Sequence, residues 1–263
     1  MSAIGRSIGS QARIFYTLAV RDIQMKHRES PIGVLSGLLE PLAQILIMTL
    51  VFTAIRLRTA DMGDFVLIFL MTGILPISCF RNIVSGAEMG FNKMRKSLAL
   101  PQLRPMDLIF GGALANWVMI AALFVSITMF FKIVYNTDSP ENLTLAMIPL
   151  IGNMIIGIGI AAINLVIKSW FPFWARLFAV MTAPLSVMSG MFYTAESMPT
   201  KIQNILYWNP FMHSTELCRM FFFPEFTSTF FDPYYYGGWV IGAFSIGMLC
   251  ERTFRYRLLS LKP

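Results

Sequence analysis

Charge is scarce in this sequence. Only 13% of its 263 residues are Asp, Glu, Lys or Arg and 56% are hydrophobic, whereas soluble domains carry about 25% charged residues. A deficit of that size, gathered into long apolar blocks, excludes a water-soluble fold. The alternating segments of about ten residues that mark a membrane β-barrel are also absent. What remains is a polytopic α-helical membrane protein. The only histidines, His27 and His213, exclude a His-rich metal site. The three cysteines, Cys79, Cys218 and Cys250, lie in or beside apolar segments with no C-x-x-C spacing. They read as small buried residues, not as a disulfide or a metal site. No G-x-x-x-x-G-K-[ST] phosphate loop, H-E-x-x-H, G-x-S-x-G or acid–base carboxylate pair occurs. No polar stretch is large enough for an ATPase domain. The chain is therefore expected to be a non-enzyme without a cofactor of its own. Any ATP-driven work would take its nucleotide chemistry from another chain. No internal repeat is evident, which argues against an inverted-repeat transporter.

What is present falls into blocks. Residues 1–31 are basic, with Arg6, Arg13, Arg21, Lys26 and Arg28. Ile14, Phe15, Leu18 and Ala19 share one helical face there, as in an amphipathic helix lying along a membrane surface. No cleavable signal peptide is expected, because the first apolar block already has span length. The expected spans are about 32–55, 65–84, 108–131, 143–167, 177–193 and 237–250. A basic segment, 85–105, separates the second and third, and FNKMRKSLALPQLRP within it suggests a short amphipathic helix. The fourth carries a run of small residues, Gly152, Gly157, Gly159, Ala161 and Ala162, suited to close helix packing.

Lys and Arg counts orient these spans. With the N-terminus inside, the inner segments 1–31, 85–106, 168–176 and 251–263 hold 15 of the 21 Lys and Arg, and the outer segments hold four. Both termini are thus expected in the cytoplasm. Topology accounts for the formal net charge of +7, and no nucleic-acid partner is needed. Segment 194–236 is then outside. It is apolar and aromatic, and Pro199, Pro210 and Pro224 cut it into pieces shorter than the roughly 20 residues that cross a bilayer. Backbone of this kind enters a membrane only where protein or a cavity surrounds it. The reading is two short re-entrant helices, about Pro199–Trp208 and Pro210–Phe223. Glu196 or Ser197 is expected to cap the first and Asn209 the second.

Several side chains stand out as candidates along a path. Glu40, beside Pro41 in the first span, is an intramembrane carboxylate or an interface residue near enough to water to be solvated. Arg81 and Lys132 lie at span ends, where snorkelling is the simpler reading. Glu216 and Arg219 sit at i and i+3, close enough to pair. His213 is expected to make a helix-end hydrogen bond. Tyr193, Tyr207 and Trp208, with Trp170 and Trp174, are able to stack on sugar rings or to form an interfacial belt.

The order of basic N-terminal helix, six spans, basic first inner loop and proline-broken outer segment resembles the ABC-2-type permeases, the membrane subunits of ATP-driven exporters. The closer resemblance is to the capsular polysaccharide (polysialic-acid type) export permeases of Gram-negative bacteria. It is carried by Arg21, Asp22, Ser30, Gly33, Glu40 and Pro41 near the start. In the outer segment Ser189-Gly190, Phe192-Tyr193, Pro199, Asn209-Pro210, His213, Glu216 and Arg219 carry it. The resemblance implies two copies of the chain and two copies of a separate ATPase subunit that binds ATP and Mg. It implies contacts to that subunit through the N-terminal helix (Arg21, Asp22, Lys26, Arg28) and the 85–105 segment (Lys93, Arg95, Lys96). The implied cargo is a long, acidic, glycolipid-anchored polysaccharide, leaving by the outer helices towards a periplasmic adaptor and an outer-membrane export protein. Arg81 and Lys132, with Arg56 and Arg58, are then candidates to attract an acidic polymer. Export of O-antigen, teichoic acid or a hydrophobic drug, or a non-transporting scaffold, stays open as an alternative. The expected location is the bacterial inner membrane, in contact with its lipid.

Overall fold

The computed structural model describes residues 33–55, 66–96, 105–135, 140, 143–223 and 225–260. The expected interface helix, with Arg21, Asp22, Lys26 and Arg28, lies outside the described residues. The helices are α1 (Gly33–Ala54), α2 (Val66–Lys96), α3 (Pro105–Tyr135), α4 (Leu143–Ala146), α5 (Ile148–Trp170), α6 (Trp174–Val187), α7 (Thr200–Leu206), α8 (Pro210–Phe222) and α9 (Pro233–Ser260). A single 3₁₀ turn, Ala195–Ser197, precedes α7, and no strand occurs among the described residues. Three stretches are long and apolar enough to cross a membrane: Val66–Asn92, Pro105–Tyr135 and Leu143–Trp170. Leu38–Ala54 and Trp174–Val187 are shorter apolar helices.

Helix limits differ from those that hydropathy marks. Val84 was the expected end of the second span, yet α2 runs on to Lys96. Residues 91–96, expected to open a separate amphipathic helix, are the last turns of α2. Ala87, Glu88, Met89, Met94 and the basic residues are good helix formers, and Phe91 stays buried. Hydropathy marks where lipid contact ends, not where the helix does. At the other side of that loop, α3 begins at Pro105, where the fixed φ of proline suits a first helical position.

Helix α2 is the axis of the fold. Every residue from Ile68 to Phe80 is buried, and α1, α3, α5 and α8 all pack on it. Lipid tails are as apolar as these side chains, so apolar burial alone does not hold such helices together. Close packing and interhelical hydrogen bonds do. The α5–α9 crossing shows both. Gly159 lies directly against the backbone of Ala243, and Gly247 against the backbone of Gly159, so neither position has space for a Cβ. Beside them, buried Asn153 donates from Nδ2 to the Pro76 carbonyl at 2.9 Å and accepts from the Tyr236 hydroxyl at 3.1 Å. One side chain thereby ties α2, α5 and α9. Near the other end, Lys168 of α5 pairs with Glu88 of α2, and buried Glu251 binds Arg255 through both oxygens at 2.9 Å within α9.

Candidate functional site

The segment between α6 and α9 is built around α8. Asn209 holds extended backbone angles, and its Oδ1 accepts from the Phe211 N–H at 3.1 Å. Pro210 follows at the first helical position, so cap and proline together start the helix there. The same Asn209 donates from Nδ2 to the Leu185 carbonyl at 3.1 Å, which fixes α8 to the end of α6. Its side chains from Phe211 to Arg219 are buried, including His213, Ser214, Thr215, Glu216 and Arg219.

Arg219 is fully buried and organises the chain before α7. Nη1 donates to the Tyr193 carbonyl and Nη2 to the Gly190 carbonyl, both at 2.7 Å. The guanidinium stacks over Phe69 of α2 at 4.0 Å. Glu216, one turn earlier, lies 3.8 Å from Nη1, and its Oε1 accepts from the Ala195 N–H at 3.0 Å. A planar fork is the group able to serve two carbonyls at once, which a Lys ammonium does less well. Gly190 has φ +75°, and a Cβ there would lie 2.6 Å from Met212 Sδ. Only glycine suits both the left-handed backbone and that contact. Gly73 of α2 receives the same loop, since a Cβ on it would meet the Met191 carbonyl at 2.7 Å.

A second cluster links α7, α8 and α9. The Asp232 N–H donates to His213 Nδ1 at 3.2 Å. The ring proton therefore sits on Nε2, which donates to the Tyr207 carbonyl at 2.8 Å. Both nitrogens are committed, and burial pushes the imidazole pKa below its ordinary value. His213 is neutral and has no nitrogen free for proton transfer. The Tyr207 hydroxyl donates to Asp232 Oδ2 at 2.6 Å, and this bond, with the Tyr235 N–H, holds the Asp232 carboxyl below the usual range. Asp232 Oδ1 also takes the N–H groups of Tyr234 and Tyr235 at 2.9 and 3.1 Å, capping α9 ahead of Pro233. The Tyr235 hydroxyl donates to the Trp208 carbonyl at 2.7 Å. Trp208 and Tyr234 remain open, at 72% and 89% exposure.

These clusters account for Tyr193, Tyr207, Trp208, His213, Glu216 and Arg219. Glu40 and Arg81 form a separate group, joined by an ion pair between α1 and α2 with Nη2 3.7 Å from Oε1. Lys132 is exposed on the last turn of α3. Lys93, Arg95 and Lys96 belong to the last two turns of α2, and their side chains lie outside the described residues. One cap expectation is corrected. Neither Glu196 nor Ser197 caps α7, whose flanking Pro199 has no side-chain cap bond. Glu196 instead accepts from the N–H and hydroxyl of Thr229, both at 3.0 Å. Asp232 was missed, although Asp232-Pro233 carries the same cap-and-proline signal as Asn209-Pro210.

Apolar helices on one buried axis, with a locked, proline-cut segment before the last helix, define a helical membrane component. Residues 13–223 match the model of the ABC-2 type transporter family, and the chain belongs to that family. Among characterised relatives, it is 24% identical over 236 residues to the polysialic acid transport protein KpsM of Escherichia coli, covering 90% of this chain and 91% of that one. It is 22% identical over 227 residues to the capsule polysaccharide export inner-membrane protein CtrC of Neisseria meningitidis serogroup A, covering 86% and 84%. The corresponding protein BexB of Haemophilus influenzae is 23% identical over 228 residues, covering 86% and 84%.

Proposed function

We propose that this chain is the membrane-spanning permease subunit of an ATP-driven exporter that moves an acidic, glycolipid-anchored capsular polysaccharide across the bacterial inner membrane. The observation that carries this reading is its near full-length similarity to a polysialic acid transport protein and to two capsule polysaccharide export inner-membrane proteins, from three organisms. In this reading the chain crosses the membrane six times with both termini in the cytoplasm, as the Lys and Arg distribution supports. Segment 194–236 is the outer re-entrant element. Its helices have 7 and 13 residues, about 10 and 20 Å at 1.5 Å per residue, against a hydrocarbon core of about 30 Å.

Two copies enclose the path, and two ATPase subunits, which bind ATP and Mg, drive it. The N-terminal helix and the basic end of α2 are the contacts to those subunits. A periplasmic adaptor and an outer-membrane protein continue the route. The buried Glu216–Arg219 pair holds the outer helices in place, and the open Trp208 ring faces the leaving polymer. Co-purification of this chain with the ATPase subunit, followed by ATP hydrolysis with and without the polysaccharide, tests the reading. Association together with polymer-stimulated hydrolysis is expected. A chain that purifies alone, or hydrolysis indifferent to polymer, contradicts it.

A further inference from the structure

The Glu40–Arg81 pair is an unusual feature of an apolar surface. Glu40 stands seven residues into α1, and Arg81 fifteen residues before the end of α2. On the proposed topology Glu40 is about 10 Å from the inner end of its helix, and both residues lie in the inner half of the bilayer. The two side chains keep 65% and 38% of their surface open. Leu39 and Ile47 on α1 are open at 47% and 56%, while half-buried Gln44 lies one turn from Glu40 and exposed Ser85 one turn from Arg81. Charges left facing hydrocarbon are costly, and charged groups within spans face a bundle interior or a watery cavity. This face of α1 and α2 therefore meets something polar.

The arrangement also has a chemistry. At 3.7 Å the contact is loose, and the remaining Arg81 N–H groups and Glu40 lone pairs have no other hydrogen-bond partner among the described residues. A carboxylate and a guanidinium thus present acceptors and donors side by side. Neighbouring hydroxyls on a sugar ring match that pattern, one donating to the carboxylate while the next accepts from the guanidinium. The pair is neutral overall, so it holds hydroxyls without trapping an acidic chain as a lone arginine would.

We infer that Glu40 and Arg81 form a polar subsite on the inner-leaflet side of the path that binds hydroxyl groups of the passing sugar chain. The inference rests on the reading of this protein as a polysaccharide permease. Hydroxyls on a lipid headgroup offer the same chemistry, and the test separates the two sources. The full chain is produced with its ATPase subunit in two strains, one that makes the polysaccharide and one that does not. The half-buried Cys250 is first replaced by Ser, because Cys79 and Cys218 are buried. E40C and R81C are then treated with a hydrophilic maleimide in inverted membrane vesicles, with L249C, at an exposed position of α9, as the control.

Both sites are expected to label without polymer and to be protected when ATPase arrest holds polymer in the path, while L249C does not change. E40Q, which keeps the volume, is expected to slow export about tenfold, the effect of one lost charge-assisted hydrogen bond. Equal labelling with and without polymer overturns the inference, as does an export rate unchanged in E40Q. Protection in polymer-free membranes assigns the pair to a headgroup or to the second copy and also overturns it. If the unsubstituted chain exports no polymer, the functional reading itself fails, and that result is distinct because no variant is involved.

Discussion

Arg219→Met keeps an unbranched side chain in the α8 pocket but removes the guanidinium. The Tyr193 and Gly190 carbonyls each lose a 2.7 Å donor, and Phe69 loses the cation stacked 4.0 Å above it. Glu216 keeps the Ala195 N–H at 3.0 Å but loses the counter-charge 3.8 Å away. Each charge-assisted hydrogen bond is worth about 1.5–3 kcal/mol. Removing one partner of a buried ion pair costs about 3–5 kcal/mol. These figures describe one event seen from two sides and do not add, so a loss of about 3–5 kcal/mol is expected. At about 2–4 °C per kcal/mol for chains near this size, R219M melts roughly 6–20 °C below the parent. The assay heats detergent-solubilised protein through a temperature series and measures the monodisperse fraction by size-exclusion chromatography. In E216Q/R219M no buried carboxylate is left without its cation, so the double variant is less damaged than the sum of the singles, with a coupling of about 0.5–3 kcal/mol. Melting of R219M at the parent temperature, or strictly additive single losses, shows that Arg219 does not hold this segment together.

Gly190→Ala places a Cβ at positive φ and against Met212 Sδ, and is expected to lose more than the roughly 1–2 kcal/mol of the left-handed conformation alone. Gly86→Ala, a helix position with nothing within 4 Å, is expected to gain about 0.5–1 kcal/mol in the same melting assay. Asn153→Ala removes the side-chain donor to the Pro76 carbonyl and one of the two acceptors of the Tyr236 hydroxyl, which keeps the Pro149 carbonyl at 3.2 Å. It should cost about 1–3 kcal/mol by that assay, with little loss if packing alone holds α2, α5 and α9. His213 has a folded pKa below its ordinary 6.5, so the unfolded chain binds the extra proton. Its contribution to stability is complete above 6.5 and declines as pH falls from there towards the folded value. Protonation also opposes the Asp232 N–H bond to Nδ1. H213N is therefore expected to flatten the pH dependence of melting as pH falls below 6.5, and an unchanged slope contradicts the assignment. Asp232, lowered by the Tyr207 hydroxyl, keeps its own contribution above the ordinary carboxylate value of 3.8 and loses it as pH falls from there towards the folded value.

Much of this architecture was legible because it is local. Asn209-Pro210 starts a helix wherever it lies, and Glu216 and Arg219 face each other at i and i+3 on any helix. Apolar length gave the helical class, and the Gly and Ala run of α5 points to a close crossing without specifying its partner α9. The rest depends on contacts distant in sequence. No local rule assigns the Gly190 and Tyr193 carbonyls to Arg219, since backbone groups carry no residue signature. Glu40 and Arg81 each read as a lone charge, and their pairing requires the α1–α2 packing. Glu196 looked like a cap because it precedes a helix, yet Thr229 offers it two donors at once. The end of α2 was misjudged because hydropathy falls at Ser85 while helix propensity does not.

On the proposed function, this chain carries polysaccharide through the membrane on power from another subunit. The direct measurement is surface polysaccharide on a capsule-producing strain whose own permease has been deleted. That strain is supplied with this chain and with an active or a hydrolysis-dead ATPase subunit, and surface and intracellular polymer are quantified separately. Surface polymer is expected with the active ATPase and intracellular retention with the dead one. Polymer that stays inside with the active ATPase, or reaches the surface equally with both, contradicts it.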